Sequence, residues 1–564
     1  MGKPEHGRYM TITMQGAYRT AAMSTLMLAL PFIAGCGGGG GLFGPEERRV
    51  LYLSEVSSNC NMAPGEACTD VNVVVRSDLA ERPLWSATDA NGVTVFQLSD
   101  HQKLSDDSWR ITFKPVPGLA PGTYTGRITL SPLNLFEFEY KNLPESIPYK
   151  VVVAPLNGNM PALAALPGAG DWEGTNGNAA HTGLVPVDVD AAKFSRRWTW
   201  EYAGGEKTYR MSPPVAANGL VYFSLEQSAA DSQDAKKIIY TNTLMALSEH
   251  DGSVQWRTPQ TLDGALSAPG VSGTRLAMAG LASVHTFDAV SGVKLANATQ
   301  PQTNGILTAS SPLTAPTLAG ASVYVGGNND VISADATTAG SLWSSSLGLS
   351  RLGNVDEWTP AVSASMVYSN TAGTLRAFNR ADGAQQWSVA VPGQVVTGLS
   401  RSSLYQAPVL ADAHSVLLLN QRLPAGFSVD NSLTLVDTDS RQVRWSVNGQ
   451  FTTQPVVVQG VLYVGNHATA SLEARSLATG AVLWSWPLSA VKEERFGGDL
   501  IATNKLLFVA GQKGTYALDL ASQKAVWSFR IAGKLALSRN GVLYIRSVSD
   551  NGNAMSRVTA INLQ

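Results

Sequence analysis

The chain has 564 residues, of which 44% are hydrophobic and only 15% are charged, and it contains 53 glycines and 28 prolines. Its 41 basic and 43 acidic side chains give a net charge of −2, which excludes a chain-wide field that would attract nucleic acid or an anionic membrane. Hydrophobic cores stop growing near about 250–300 residues, so the length predicts more than one domain. The glycine and proline content favours short strands joined by tight turns, and thus an all-β protein.

Residues 1–36 have the order of a secretory signal. Three basic residues precede an apolar run, residues 21–33, which is too short to span a bilayer. The run ends in Ile33-Ala34-Gly35-Cys36, which resembles a bacterial lipobox. That resemblance implies that Cys36 is lipidated and that, with Gly37 next to it, the protein is sorted to the outer membrane. An ordinary signal cut near Ala34 is the alternative, and the membrane leaflet stays open.

A small β domain is predicted after a glycine-rich tether at residues 37–45. The segment 46–155 has short β-rich runs separated by turn clusters, which is typical of a sandwich. Residues 121–130, with a last strand entered through Ile147-Pro148, resemble the closing strands of bacterial immunoglobulin-like domains. An unrelated small β domain is the alternative.

Two of the three cysteines bracket a Pro-Gly loop in this domain. In an exported chain this arrangement favours a disulfide between Cys60 and Cys68, worth about 2–3 kcal/mol of stability. A metal or redox pair is the alternative, but no His or third thiol lies close by in sequence.

The rest of the chain carries an internal repeat. The template Ala-x-Asp/Asn/Ser-x-x-Thr/Asp/Ser-Gly-x-x-x-Trp recurs at residues 246–256, 377–387, 474–484 and 517–527, with Gln523 in place of the glycine in the last copy. Weaker copies occupy residues 286–296, 333–343 and 435–445. A period of about 45 residues with this strand-turn-strand pattern predicts four-stranded propeller blades.

The eighth copy is split between the two ends of the repeat region. The chain ends a few residues into a template, at residues 558–564, and Trp198-Thr199-Trp200 matches the strand that follows the turn in other copies. The first strand is therefore expected to close the ring by pairing with the last blade. We predict a linker and lead-in at residues 156–193 and an eight-bladed β-propeller at residues 194–564.

These repeats resemble the quinoprotein-repeat propellers, a family that includes quinoprotein alcohol dehydrogenases and outer-membrane assembly factors such as BamB. In that family the template tryptophan docks between blades, which implies a structural role for Trp198, Trp256, Trp343, Trp387, Trp445, Trp484 and Trp527. Ala296 departs from the pattern, so its junction is expected to pack less well. The lead-in residues 172–174 and 177–183 also resemble the family, and we expect a packed connector there rather than a catalytic segment.

The residues argue against an enzyme. Quinoprotein dehydrogenases use a metal beside the cofactor and often a vicinal disulfide, but this propeller has no cysteine and no acidic group with metal-ligand spacing. Its histidines are scattered. We therefore predict no catalytic residue, no cofactor and no metal, and a quinone-dependent dehydrogenase remains the alternative.

A binding role is favoured by long loops that share one propeller face. The second-to-third-strand and interblade loops are the long ones, and length beyond a turn is typical of function. These predicted loops are residues 226–240, 344–359, 392–406, 421–431 and 488–499. Residues of the types favoured in interfaces lie in them, namely Arg351, Trp358, Arg401, Tyr405, Arg422, Phe427, Arg495 and Phe496. We predict a monomeric, lipid-anchored envelope scaffold that binds a protein partner, with a role in outer-membrane protein assembly. A polysaccharide-binding surface lipoprotein is a further alternative.

Overall fold

The computed structural model describes most of the chain from residue 52 onward. The described residues are 52–53, 58–62, 71–76, 84–86, 92–105, 108–116, 119, 122–131, 145–153, 160–202, 209–230, 238–258, 262–263, 266–280, 283–300, 315–326, 330–347, 359–371, 373–392, 407–421, 431–547 and 557–564. Among them, no helix has the length and apolar character needed to cross a membrane.

The first eight strands form two four-stranded sheets. They are β1 (Tyr52–Leu53), β2 (Ser58–Met62), β3 (Val71–Arg76), β4 (Leu84–Ser86), β5 (Phe96–Ser105), β6 (Ser108–Pro115), β7 (Gly122–Ser131) and β8 (Glu145–Val153). The sheet orders are β1-β3-β6-β5 and β2-β8-β7-β4. Phe96, Ile111 and Phe113 of one sheet share a buried core with Ile147 and Val151 of the other. The two sheets therefore pack as a sandwich, while its immunoglobulin-like character stays a prediction.

The remaining strands form eight further sheets, which we call blades 1–8. Blade 1 has β10 (Tyr209–Met211), β11 (Val215–Ala217), β12 (Leu220–Ala230), β13 (Ile238–Ser248), β14 (Val254–Arg257) and β15 (Leu262–Asp263). Blade 2 has β16 (Gly270–Ser272), β17 (Arg275–Ala279), β18 (Ser283–Asp288) and β19 (Lys294–Thr299). Blade 3 has β20 (Thr317–Ala319), β21 (Ser322–Gly326), β22 (Asp330–Asp335) and β23 (Ser341–Ser346). Blade 4 has β24 (Ala361–Val362), β25 (Met366–Thr371), β26 (Thr374–Asn379) and β27 (Gln385–Ala390).

Blades 5 to 8 repeat this order. Blade 5 has β28 (Val409–Asp412), β29 (Ser415–Gln421), β30 (Asn431–Asp437) and β31 (Gln442–Gly449). Blade 6 has β32 (Val456–Val458), β33 (Val461–Asn466), β34 (Ser471–Ser476) and β35 (Val482–Pro487). Blade 7 has β36 (Phe496–Ala502), β37 (Leu506–Gly511), β38 (Thr515–Asp519) and β39 (Lys524–Phe529). Blade 8 has β40 (Lys534–Leu537), β41 (Val542–Ser547), β42 (Arg557–Asn562) and, from the other end of the repeat region, β9 (Ser195–Glu201).

One register runs through every blade. The first template position on the third strand pairs with the eleventh position on the fourth, as in Ala246 with Trp256 and Ala474 with Trp484. A register shift follows each pair, and the turn residue at the seventh position has a positive φ. Blade 8 keeps the same register although its halves come from opposite ends, because Ala560 pairs with Trp198. The copies of the sequence repeat therefore share one backbone pairing and one turn conformation.

The ring is closed by this split blade. Strand β42 pairs with β9, and the first strand of blade 8, β40, lies beside the first strand of blade 1, β11. No sheet edge is left open between the first and last blades of the described chain. The eight-bladed propeller and its closure are thus confirmed.

Two segments that the sequence assigned to loops contain regular structure. The predicted loop from Glu226 to Tyr240 is largely a hairpin, because β12 continues to Ala230 and β13 begins at Ile238. The interblade segment before blade 7 begins with a 3₁₀ helix at Leu488–Val491. The end of β12, residues 226–230, has no alternating apolar pattern, so the sequence gives no sign that the strand continues this far.

Candidate functional site

Blade junctions are built from the fourth-strand tryptophan of one blade and the template turn of the next. Trp198 Nε1 donates to the Glu249 carbonyl at 3.0 Å, and a Cβ on Gly252 would lie 2.7 Å from the indole ring. Three more junctions share this arrangement, at Trp256 with Ala289 and Gly292, Trp343 with Arg380 and Gly383, and Trp445 with Leu477 and Gly480. The glycine is required twice over, by its positive φ and by its contact with the ring. These tryptophans hold blades together.

At three junctions a residue other than glycine occupies the seventh template position. Ala339, Arg441 and Gln523 occupy the seventh template position with φ of 56°, 59° and 58°. At the junction without a tryptophan, Gln300 Nε2 donates to the Ala339 carbonyl at 2.7 Å, close to where Ala296 replaces the indole. Thr286 Oγ1 also donates across that junction, to the Thr337 carbonyl at 3.0 Å. Polar contacts thus replace the missing aromatic ring between blades 2 and 3.

The closure of the ring buries an acid. Glu249 of blade 1 is 1% exposed and accepts hydrogen bonds from Ser538 Oγ and, at 2.8 Å, from Asn540 Nδ2 of blade 8. Burial raises the pKa of the Glu249 carboxyl, and these donors oppose the rise. Arg197 binds the His250 carbonyl at 2.7 Å and Asn562 Oδ1 at 2.9 Å in the same region. This network joins the two ends of the repeat region.

The lead-in, defined here as residues 160–193, contacts the first strand or the first turn of every blade. Its backbone bonds to the first strands of blades 1, 2, 4, 5, 7 and to the first turn of blade 8, through Ala216, Val271, Val362, Leu410, Ala502 and Arg539. His181 reaches blade 3 at Thr317, and Gly183 packs on Val456 of blade 6. Each of these contact residues lies in the first-to-second-strand turn of its blade or within three residues before that turn. The lead-in therefore covers that end of the central opening, opposite the long-loop face.

His181 is the most buried polar group of the lead-in. Its side chain is 1% exposed, with Nδ1 2.9 Å from the Pro408 carbonyl and Nε2 3.2 Å from Thr317 Oγ1. A carbonyl only accepts, so Nδ1 carries the proton of the neutral ring. Burial lowers the pKa of His181 to about 4, against the opposing effect of the Pro408 carbonyl. The ring joins blades 3 and 5 as a neutral, structural histidine.

Two carboxyl groups of the lead-in have raised pKa values. Burial raises the pKa of Glu173 to about 7, and nearby Asp171 adds to the rise. Burial also raises the pKa of Asp171, while the Arg539 guanidinium, 3.8 Å away, opposes it. No three His, Cys, Asp or Glu side chains converge as metal ligands within the described ranges. Sequence reasoning missed this acid pair, and its signal was the Asp-x-Glu spacing on either side of Trp172.

The predicted binding-face residues are only partly placed. Arg351, Trp358, Arg401, Tyr405, Arg422 and Phe427 lie outside the described residues, as do Cys36 and Cys68. Cys60 lies in β2, and its disulfide stays a prediction. Arg495 is exposed, whereas the half-buried Phe496 ring is so close to Gly465 of blade 6 that a Cβ there would lie 2.7 Å from it. Phe496 thus anchors its own segment.

A buried carboxylate fixes the described part of the loop face. Glu493 is 3% exposed and accepts hydrogen bonds from the backbone N–H groups of Gln512, Lys513 and Gly514 at 2.9–3.0 Å. Tyr516 Oη donates to the same carboxylate at 2.9 Å, and burial, together with this contact, raises the pKa of Tyr516. These hydrogen bonds therefore hold the interblade segment before blade 7 against the second-to-third-strand loop of that blade.

The architecture is that of a closed eight-bladed propeller with a tryptophan-docked repeat. A family model described as the outer membrane protein assembly factor BamB matches residues 225–353, 282–528 and 429–564, which together span more than half of the chain. The chain belongs to this BamB family of quinoprotein-repeat propellers.

Individual similarities are more distant. A tetrathionate hydrolase of Acidithiobacillus ferrooxidans is 21% identical over 460 residues, which cover 72% of this chain and 89% of that protein. The crystal structure of BamB from Moraxella catarrhalis aligns with a TM-score of 0.45 and 14% identity, over 65% of this chain and 99% of that one. Hsv2 of Kluyveromyces lactis aligns with a TM-score of 0.33 and 8% identity, over 52% and 94% of the two chains.

Proposed function

We propose that the protein is a non-catalytic scaffold of the bacterial envelope, anchored by a lipid at Cys36, which binds a protein partner through its long-loop face. The observation that carries this proposal is the position of the lead-in, which bonds to blades all around the ring and covers the opposite end of the central opening. The face left for a partner is then the one formed by the second-to-third-strand and interblade loops. Such loops on a rigid scaffold are typical binding elements.

Membership of the BamB family supports a role in the assembly of outer-membrane proteins. The sandwich domain is an addition to the propeller that the family model leaves unmatched, since the matches begin at residue 225. We therefore assign the general role of an envelope assembly scaffold and leave the partner to be identified by experiment.

Binding is tested by capture of partners from the native envelope. The lipidated protein is compared with a variant in which Arg351, Trp358, Arg401 and Tyr405 are all changed to Ala, and with a control variant in which the exposed outer-strand residues Lys294, Gln385, Gln442 and Lys524 are changed to Ala. The proposal expects a defined partner with the wild type and the control variant, and its loss from the loop-face variant. Equal capture by all three proteins would move the binding site elsewhere.

Hydrolysis of a polythionate is the second candidate, and it is favoured by the relative that carries the name tetrathionate hydrolase. The acid pair Asp171 and Glu173 would be its proton-transfer groups, because the pKa of Glu173 of about 7 suits a general acid or base. The scaffold proposal expects no consumption of tetrathionate by the purified protein above a buffer blank. Consumption that is lost in Asp171→Asn and Glu173→Gln would contradict a non-catalytic role.

A further inference from the structure

The described part of the loop face carries a local excess of positive charge in blades 7 and 8. In the described segments 492–499, 511–514, 530–534 and 546–547, the acidic residues are Asp499, the buried Glu493 and the exposed Glu494. The same segments contain the basic residues Lys492, Arg495, Lys513, Arg530, Lys534 and Arg546. The whole chain has a net charge of −2, so this sector differs in sign from the average of the protein.

Backbone contacts place these four segments next to one another. A Cβ on Gly497 would collide with the Gly511 carbonyl, and one on Gly498 would lie 2.6 Å from the Gly533 carbonyl. Gly533 in turn touches the Arg546 carbonyl. Glycine at each crossing lets the backbones approach this closely. The six basic residues thus belong to one continuous surface, which we call the basic strip.

Hydrogen bonds fix the shape of the basic strip. The Glu493 carboxylate ties the interblade segment to the 512–514 backbone, and Lys513 Nζ donates to the Lys492 carbonyl at 3.2 Å. Thr515 Oγ1 donates to the Ile531 carbonyl at 2.7 Å, which ties the next interblade segment to the same loop. A surface ordered before binding loses less conformational entropy when a ligand arrives.

We propose that the basic strip binds an acidic segment of the protein partner, an extended peptide rich in Asp and Glu. This inference rests on the proposed scaffold function and adds to it the chemistry of the partner. Guanidinium groups such as those of Arg495 and Arg530 pair with carboxylates in a fixed planar geometry. A surface held in place by a buried carboxylate suits a peptide of defined shape, whereas a fluid lipid surface requires only net charge.

The test uses the full-length protein and a labelled peptide of alternating Glu and Gly, with a Gln-Gly peptide of the same length as the control. The charge-reversed variant is Arg495→Glu with Arg530→Glu, and the matched control is Lys294→Glu with Lys524→Glu, which makes the same charge change on exposed outer strands. We expect wild type and matched control to bind the acidic peptide, and the charge-reversed variant to bind it at least about tenfold more weakly. Binding is expected to weaken with added salt.

The inference is overturned if the wild type and the charge-reversed variant bind the acidic peptide equally, or if the wild type binds both peptides equally. It is also overturned if vesicles of phosphatidylglycerol bind with the same charge dependence and displace the peptide. Melting curves identify a misfolded variant, in which case Arg495→Gln with Arg530→Gln takes its place. If the wild type captures a partner but binds no acidic peptide, the role proposed for the basic strip is contradicted and the scaffold function is not. Failure to capture any partner contradicts the scaffold function itself.

Discussion

At the scale of single residues, the template turn explains why the repeat tolerates only some substitutions. Its seventh position has a positive φ in all seven complete copies of the described propeller. Where a tryptophan ring lies against that position, as at Gly480 and Trp445, a side chain has no room. Where another residue replaces the glycine, as at Gln523, the backbone keeps its positive φ, and that residue adopts a strained left-handed conformation.

Substitution of this glycine is therefore expected to depend on the junction. Gly480→Ala should lower the free energy of unfolding by about 1–3 kcal/mol, because a Cβ would lie 2.8 Å from the Trp445 ring at a positive φ. Gln523→Gly should leave stability within about 1 kcal/mol of wild type, since relief of strain offsets the added freedom of the unfolded chain. Urea unfolding of both variants checks this. A larger loss for Gln523→Gly than for Gly480→Ala would contradict the turn assignment.

The docked tryptophans are expected to differ in their contribution to stability. Trp343 is 8% exposed and donates to the Arg380 carbonyl, so Trp343→Ala should cost about 3–5 kcal/mol. Trp484 is more exposed, so Trp484→Ala should cost less than Trp343→Ala. Thermal melting of the two variants measures the order. An unchanged melting temperature in both would contradict the docking role.

At the scale of elements, the lead-in contributes to stability through contacts with separate blades. Its buried His181 joins blades 3 and 5, and the ring is neutral because burial lowers its pKa to about 4. The unfolded chain takes up a proton near the ordinary pKa of 6.5, and the folded chain does so only near 4. This group therefore supports stability above pH 6.5 and loses that support as the pH falls from 6.5 to 4.

Replacement of His181 separates this pH effect from the structural one. His181→Asn keeps a residue that tolerates the positive φ of 57° but removes the titrating group. We expect a loss of about 1–3 kcal/mol at neutral pH from the broken hydrogen bonds, and a weaker pH dependence of stability between pH 4 and 6.5. Unfolding at a series of pH values provides the measurement. An unaltered slope in that range would mean that other groups determine the acid sensitivity.

At the scale of the whole molecule, the sequence predicted the repeats better than the connections between them. The template combines turn chemistry with a tryptophan eleven positions along, so the blade register and the split blade at Trp198 could be read from residues alone. The path of the lead-in could not, because most of its bonds to the ring join backbone atoms and leave no side-chain pattern. The hydrogen bonds to the Glu493 carboxylate were missed for the same reason, since their donors are mainly backbone N–H groups.

The lipid anchor is a prediction about the whole protein in the cell. Cys36→Ala removes the thiol that the lipobox resemblance assigns to the lipid, so the variant should be recovered in the soluble fraction after cell lysis. Immunoblots of membrane and soluble fractions measure the distribution, with the wild type as the reference. A variant that still sediments with membranes would exclude Cys36 as the anchor.

The most direct test of the scaffold account is photocrosslinking in living cells from positions on opposite faces of the ring. A photoreactive residue replaces Arg495 on the loop face in one strain and Ser440, in a template turn of the other face, in a second strain; both positions are exposed. The account predicts a discrete crosslinked partner from position 495 and none from position 440. A partner that crosslinks from position 440 alone would contradict binding through the long-loop face.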